Sequence, residues 1–300
     1  MPKLVVILGP TGVGKTDFSL QLAEQWSCPI VSADSRQIYR DLPIGTAAPT
    51  PEEMARVPHY FIGCKDLFET YSAGQYARDC TALLADLFEQ HEQVIMVGGS
   101  MMYIDAVCKG IDAIPDVPEQ VRTFVREQYT HLGLQWLQSE VMRLDPVYWS
   151  EVDQHNPQRL MHCLEVCWAT GSPFSTFRKG AFRSITSQQR GFEVEYRMIE
   201  RPRQELYDRI NLRVHKMIEA GLVQEAQRAF DILGVSTLPH IDEPLLPNSV
   251  NTVGYKELLK YFRAEWSLEK AIEMIQQNSR HYAKRQMTWW RRDAALWENQ

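Results

Sequence analysis

The first apolar run of the chain, Leu4-Val5-Val6-Ile7-Leu8, is continuous rather than alternating, rich in β-branched residues and stopped by Gly9-Pro10. Such a run predicts a strand buried on both faces, as in a parallel sheet. After Thr16, the residues Phe18, Leu20, Leu22, Ala23 and Trp26 fall at helical spacing. Two more short runs, residues 29–33 and 93–97, predict strands that end in Asp34 and in Gly98-Gly99. Strand, helix and strand in alternation predict a doubly wound α/β core. In such sheets ligands bind beyond the carboxyl ends of the strands, where residues 9–16, 34–37 and 98–100 all fall.

From about Ile111 the pattern changes. Ile114-Pro115-Asp116-Val117-Pro118 reads as a proline-punctuated connector. Residues 119–180 show helix-period apolar positions and no strand pattern, so 113–185 is read as a helical insertion into a core formed by 1–112 and 186–300. Residues 190–200 alternate enough to be a strand returning to that core. Residues 202–233 and 268–297 read as two long helical stretches, and 238–248, with three prolines, as a loop.

Composition narrows the class. Over 300 residues, 44% apolar and 23% charged content excludes a disordered chain. No apolar run approaches the roughly 20 residues of a membrane helix, and Gly9-Pro10-Thr11-Gly12 cuts off any signal-peptide pattern at the start. Cys28, Cys64, Cys80, Cys108, Cys163 and Cys167 form no Cys-x-x-Cys pair, which fits buried thiols in a reducing cytoplasm better than a zinc ribbon or a disulfide scaffold. The net charge of -6 is uneven: residues 1–150 hold 11 Lys/Arg against 19 Asp/Glu, and the basic residues concentrate in the second half. That balance announces no polyanion partner, yet it leaves room for one.

The strongest chemical signal is Gly9-Pro10-Thr11-Gly12-Val13-Gly14-Lys15-Thr16. It matches the phosphate-loop pattern, between a buried strand and a helix. Glycines let backbone N–H groups curl around phosphate oxygens, and the following helix N-terminus adds donors and a favourable dipole. Lys15 would supply charge to the outer phosphate, and Thr16 a hydroxyl for Mg²⁺. The core is thus expected to be P-loop nucleoside-triphosphate-hydrolase-like. The loop points to a diphosphate group, not to ATP in particular. ATP-hydrolysing relatives of this fold end a later strand in a Mg²⁺-holding acid, whereas here that strand ends Val97-Gly98-Gly99-Ser100. Asp34 is the only well-placed carboxylate. It could position a metal, cap a helix starting near Arg36, or accept a proton. Trp289-Trp290 beside Arg291-Arg292 could stack on unpaired bases, but helix-period tryptophans more often belong to a core.

Eight segments together resemble the tRNA dimethylallyltransferase (tRNA isopentenyltransferase) family, bacterial type. They are the phosphate loop, Asp34-Ser35-Arg36-Gln37-Ile38-Tyr39, Ile44-Gly45-Thr46-Ala47, Tyr71-Ser72-Ala73-Gly74, Val97-Gly98-Gly99-Ser100-Met101-Met102-Tyr103, Pro157-Gln158-Arg159-Leu160, Gly254-Tyr255-Lys256-Glu257 and Ala283-Lys284-Arg285-Gln286-Met287-Thr288-Trp289. They run in family order over nearly the whole chain. The resemblance implies Mg²⁺-dependent transfer of a dimethylallyl group from dimethylallyl diphosphate to N6 of adenosine 37, just 3′ of the anticodon, in tRNAs reading codons that begin with U.

It implies further that Asp34 is the general base, and that Lys15, Thr16, Arg209 and, one turn on, Arg213 serve the diphosphate. Arg209 and Arg213 could equally be solvated helix charges. Contacts to tRNA are implied for Asp34, Ser35, Arg36 and Gln37, for Ser100 and Arg122, for Gln158, Arg159, Leu160, Met161 and His162, and for Val250, Asn251, Thr252, Val253, Gly254 and Tyr255. Ser100 stands where the family typically has threonine, His162 where it usually has arginine, and Tyr60 where a second histidine follows His59. The Cys/His zinc module of eukaryotic members is absent from these residues. The implied protein is a cytoplasmic monomer. Two other readings fit parts of the chain: an ATP-using small-molecule kinase, and a non-catalytic nucleotide-regulated RNA-binding protein.

Overall fold

The computed structural model describes residues 1–178, 187–235, 245–292 and 294. Five strands form one parallel sheet: β1 (Lys3–Leu8), β2 (Ile30–Ser32), β3 (His59–Tyr60), β4 (Gln93–Val97) and β5 (Glu193–Met198), in the order β3-β2-β4-β1-β5. The helices, in chain order, are α1 (Lys15–Trp26), α2 (Pro51–Arg56), α3 (Ala73–Phe88), α4 (Met101–Lys109), α5 (Glu119–Leu144) and α6 (Pro146–Glu151). Then come α7 (Pro157–Thr170), α8 (Ser187–Arg190), α9 (Arg203–Glu219), α10 (Leu222–Ile232), α11 (Tyr255–Phe262) and α12 (Leu268–Arg291). The chain divides into two compact units, Met1–Cys108 with Ile185–Gln300, and Lys109–Ser184.

The apolar strands are continuous because both sheet faces are covered. Successive side chains of a strand point to opposite faces. Leu4, Val6 and Leu8 of β1, with Val94 and Met96 of β4, join a core built with Tyr76 and Leu84 of α3, Ile104 and Val107 of α4 and Ile275 of α12. Ile7, Ile30 and Ile95 face the other way, onto Leu20 and Ala23 of α1. The chain therefore has the α/β class with the parallel sheet that its strand–helix alternation predicts. The β1–β4 ladder ends at the Ile7–Val97 pair, so residues 9–16 and 98–100 leave from neighbouring carboxyl ends, where sheets of this kind have their ligand crevice.

The second unit is helical among its described residues. α5, α6 and α7 enclose Leu137, Val141, Tyr148, Leu160, Leu164 and Phe174. Fully buried Asp145 caps α6 by accepting from Tyr148 N (3.0 Å), and takes the Ser175 N–H and hydroxyl at 2.6 and 2.8 Å. Cys163 and Cys167 lie beside it with their sulfurs 4.0 Å apart, within reach of a shared metal. With Asp145 already holding three donors, this group is accounted for as core.

Several expectations need correction. Residues 202–233 are two helices, separated where Gly221 adopts φ 102° and turns the chain. The strand expected over 190–200 is confined to Glu193–Met198, and Arg190 ends the short α8. Short β3, whose two residues carry no readable pattern, and helices α2, α3, α4 and α11 had no counterpart in the sequence reading. Cys64 is exposed, unlike the other five thiols. Residues 238–244 of the expected loop, and 293 and 295–297 of the last helical stretch, lie outside the described residues. No described helix is long and apolar enough to cross a membrane.

Candidate active site

The loop after β1 is shaped by Gly9, Gly12 and Gly14, all at positive φ, and pinned by Val13, whose buried side chain packs on Leu206, Ile210 and Ala283. Lys15 opens α1 and folds back over its own loop, donating to Gly9 O at 2.7 Å and Pro10 O at 3.1 Å. Desolvation and then the Arg213 charge push its ammonium down to about 7, while Asp34 pulls the other way. Thr16 is exposed at the first turn.

Helix α9 lays arginines along this loop. Arg209 Nε donates to Gly12 O (2.9 Å), and Arg213 Nη1 to the Thr11 hydroxyl (3.2 Å). Both touch the loop, Arg209 from an exposed position and Arg213 from a half-buried one. Sequence reasoning missed Arg201, which donates to Val13 O at 2.7 Å and pairs with Glu205 at 2.5 Å. Four cationic side chains thus gather on this loop at the head of α1, a concentration of positive charge suited to a diphosphate.

Asp34 follows β2. Its Oδ1 accepts from Arg36 N (2.9 Å) and, more weakly, Gln37 N (3.4 Å), closing a turn. No helix starts at Arg36, so of the roles open to Asp34 the cap is that of a turn, not of a helix. The other oxygen lies against the β4 end: a Cβ built on Gly99 would stand 2.9 Å from Asp34 Oδ2. Burial lowers the pKa of Arg213 as it does that of Lys15, and in both the Asp34 carboxylate opposes the shift. The Tyr282 hydroxyl is held protonated by burial and then by Asp34. A carboxylate facing a cationic anion-binding loop is an arrangement for taking a proton while negative charge leaves.

The neighbouring predicted residues are tied into this wall. The Ser100 hydroxyl accepts from Ser35 N (2.7 Å) and donates to the Ser35 hydroxyl (2.9 Å). Arg36 reaches Asn248 Oδ1 at 3.3 Å. Gln37 Nε2 donates to Thr46 O and Ala47 O. Glu225, a buried acid unnoticed in the sequence, accepts from Ile44 N, Gly45 N and the Tyr255 hydroxyl at 2.8, 2.8 and 2.6 Å. Its signal was an acid on the otherwise apolar buried stripe of α10, beside Leu222, Ala226 and Ala229.

Two sets of expected RNA contacts need correction at the level of side chains. Val250 and Tyr255 are fully buried, leaving Asn251, Thr252 and Val253 partly accessible around Gly254. In the second unit Leu160 and Met161 belong to the core, whereas Gln158, Arg159 and His162 on α7 are exposed and Arg122 on α5 is half-buried. Core packing removes those four apolar or aromatic side chains from reach of a polynucleotide. Trp290 is buried too, and Trp289 Nε1 donates to Asp105 Oδ2 at 2.7 Å, so this pair serves the core, as helix-period tryptophans usually do.

Residues 37–293 match the sequence model of the IPP transferase family. A protein of Parabacteroides distasonis named tRNA dimethylallyltransferase 2 is 49% identical over 99% of this chain and 93% of its own length. The tRNA dimethylallyltransferase 1 of Phocaeicola vulgatus is 50% identical over 97% and 91%. The crystal structure of a tRNA isopentenylpyrophosphate transferase from Bacillus halodurans superposes with a TM-score of 0.65 at 34% identity, covering 97% of this chain and 87% of that one. A eukaryotic dimethylallyltransferase acting on tRNA shares the fold with a TM-score of 0.75 at 24% identity, covering 97% and 70%.

Proposed function

The chain belongs to the IPP transferase family and is a transferase, and from that premise we propose that it moves a dimethylallyl group from dimethylallyl diphosphate to N6 of a tRNA adenosine. The acceptor we infer is adenosine 37, 3′ of the anticodon, in tRNAs reading codons that begin with U. The products are N6-dimethylallyladenosine and diphosphate.

One observation carries this reading: Asp34 lies against Gly99 at the carboxyl end of the sheet, where the phosphate loop also emerges, while β4 ends without an acid. An adenine inside the anticodon stack must be turned out to reach such a crevice. Its N6 lone pair is delocalised into the ring, so bond formation to the allylic carbon needs a base for the N6 proton. Asp34 takes that proton as the C–N bond forms and the C–O bond to diphosphate breaks. Negative charge then builds on the departing diphosphate, where Lys15, Arg209, Arg213 and the loop N–H groups stabilise it. The exposed Thr16 hydroxyl at the head of α1 suits Mg²⁺, which would neutralise diphosphate charge when bound.

The helical unit fits the RNA. Arg159, Gln158 and His162 are exposed on α7, and Arg122 presents a further cation on α5. His162 can hydrogen-bond a phosphate, but it lacks the five-donor planar fork that an arginine would bring. Incubation with dimethylallyl diphosphate, Mg²⁺ and an anticodon stem-loop should add one dimethylallyl mass to adenosine on nucleoside digestion. Alkylation elsewhere, or none, would refute the assignment.

A further inference from the structure

Gln286 is fully buried in the last third of α12, yet both ends of its carboxamide are spent on backbone from two different strand extensions. Its Oε1 accepts from Thr11 N at 2.8 Å, in the loop after β1. Its Nε2 donates to Gly99 O at 2.9 Å, after β4. β1 and β4 make their last ladder pair at Ile7 and Val97, so beyond that point the ladder itself no longer joins these two backbones. A carboxamide has the donor and acceptor of a peptide unit. Here it stands between the two extensions as an inserted rung.

The position of the rung matters because of what lies on each side. Thr11 belongs to the loop proposed to hold the donor diphosphate. Gly99 forms the wall against Asp34: a Cβ built there would meet Asp34 Oδ2 at 2.9 Å and Gln286 Nε2 at 3.2 Å. One turn earlier, the Tyr282 hydroxyl donates to the same Gly99 O at 2.8 Å, and Ala283 packs beneath Val13. Trp290, one turn later, seats the helix in the main core. The amide is therefore held from behind.

We propose that Gln286 is a positioning residue whose buried carboxamide fixes the spacing between the diphosphate loop and the wall that carries Asp34. It touches neither reactant. It sets the distance between the leaving group's cradle and the base, so it acts on the transfer step more than on binding of either substrate. The proposal rests on the prenyl-transfer reading above. Misplacement by about 1 Å can cost a transfer reaction roughly 10²-fold.

The test is steady-state kinetics of the full chain with dimethylallyl diphosphate and an anticodon stem-loop, for Gln286→Met and Gln286→Glu beside the unchanged protein. Gln286→Met keeps length and loses both hydrogen bonds. Its kcat should fall about 10- to 100-fold, with KM for either substrate within about threefold. Gln286→Glu keeps the acceptor for Thr11 N but sets a charged oxygen against Gly99 O. When protonated, its carboxyl can donate to Gly99 O as the amide does. The ratio of its kcat to that of the unchanged protein should therefore climb as pH falls from about 8 to 6. A Gln286→Met kcat within twofold of normal, or a loss carried entirely by a raised diphosphate KM, would overturn the proposal. So would a ratio for Gln286→Glu that stays flat with pH, which decides the matter if Gln286→Met does not fold. An unchanged protein that alkylates no RNA would instead refute the prenyl-transfer reading, and this inference with it.

Discussion

Asp34 and Lys15 carry the chemistry in this account, and each has a signature of its own. Asp34→Asn keeps the oxygen that closes the turn with Arg36 N, so the local fold should survive. It removes the proton acceptor, and single-turnover transfer should fall about 10²–10⁴-fold with diphosphate affinity nearly unchanged. A mutant with a near-normal rate would end the general-base role. A loss of diphosphate affinity rescued by extra Mg²⁺ would make Asp34 a metal-positioning group instead. Lys15, brought down to about 7, is largely neutral in the free protein at about pH 8. An arriving diphosphate restores its charge and draws in a proton, so affinity should decline as pH rises through 7. The stability sign runs oppositely. The unfolded chain keeps this proton up to the ordinary lysine range, so Lys15's penalty on the folded free protein is full below pH 7 and shrinks as pH rises above it. Calorimetry at about pH 8 in two buffers of different ionisation enthalpy should show net proton uptake on binding dimethylallyl diphosphate, fading below about pH 6. No uptake at pH 8 would contradict the burial of Lys15. The phosphate loop and Asp34 were legible because their chemistry sits in one short segment each. Glu225 and Gln286 were not, although both are polar residues on buried helix stripes, because their partners lie 180 and 275 residues away.

At the scale of elements, the strands of the sheet's middle were readable and its margins were not. β1 and β4 are buried on both faces and so leave unbroken apolar runs. β3 has two half-buried residues and leaves none. The break between α9 and α10 turned on one glycine conformation inside a stretch of good helix formers, which periodicity alone does not resolve. In the helical unit, α7 separates by face: Leu160, Cys163, Leu164 and Cys167 inward, Gln158, Arg159 and His162 outward. If that outer face and Arg122 meet RNA phosphates, Arg122→Ala and Arg159→Ala should each raise the KM for tRNA while leaving diphosphate binding intact. Each should also flatten the dependence of log affinity on log salt by about one unit per phosphate lost. Unchanged tRNA affinity in both variants would make the unit structural or direct it to another partner.

For the whole molecule, the question is which diphosphate the loop serves. An ATP-using kinase and a prenyl transferase can share the loop and the parallel sheet. They differ in where the acid lies and in what the second unit is for. Here β4 runs out into Gly98-Gly99, Asp34 follows β2 at the same carboxyl edge, and a helical unit with outward cations accompanies the core. The most direct measurement follows pyrophosphate and RNA in the same reaction, with dimethylallyl diphosphate and ATP offered side by side with an anticodon stem-loop. One pyrophosphate should be released for each adenosine alkylated, with negligible ATP turnover. ATP consumption stimulated by a small metabolite, with the RNA left unmodified, would contradict the prenyl-transfer reading.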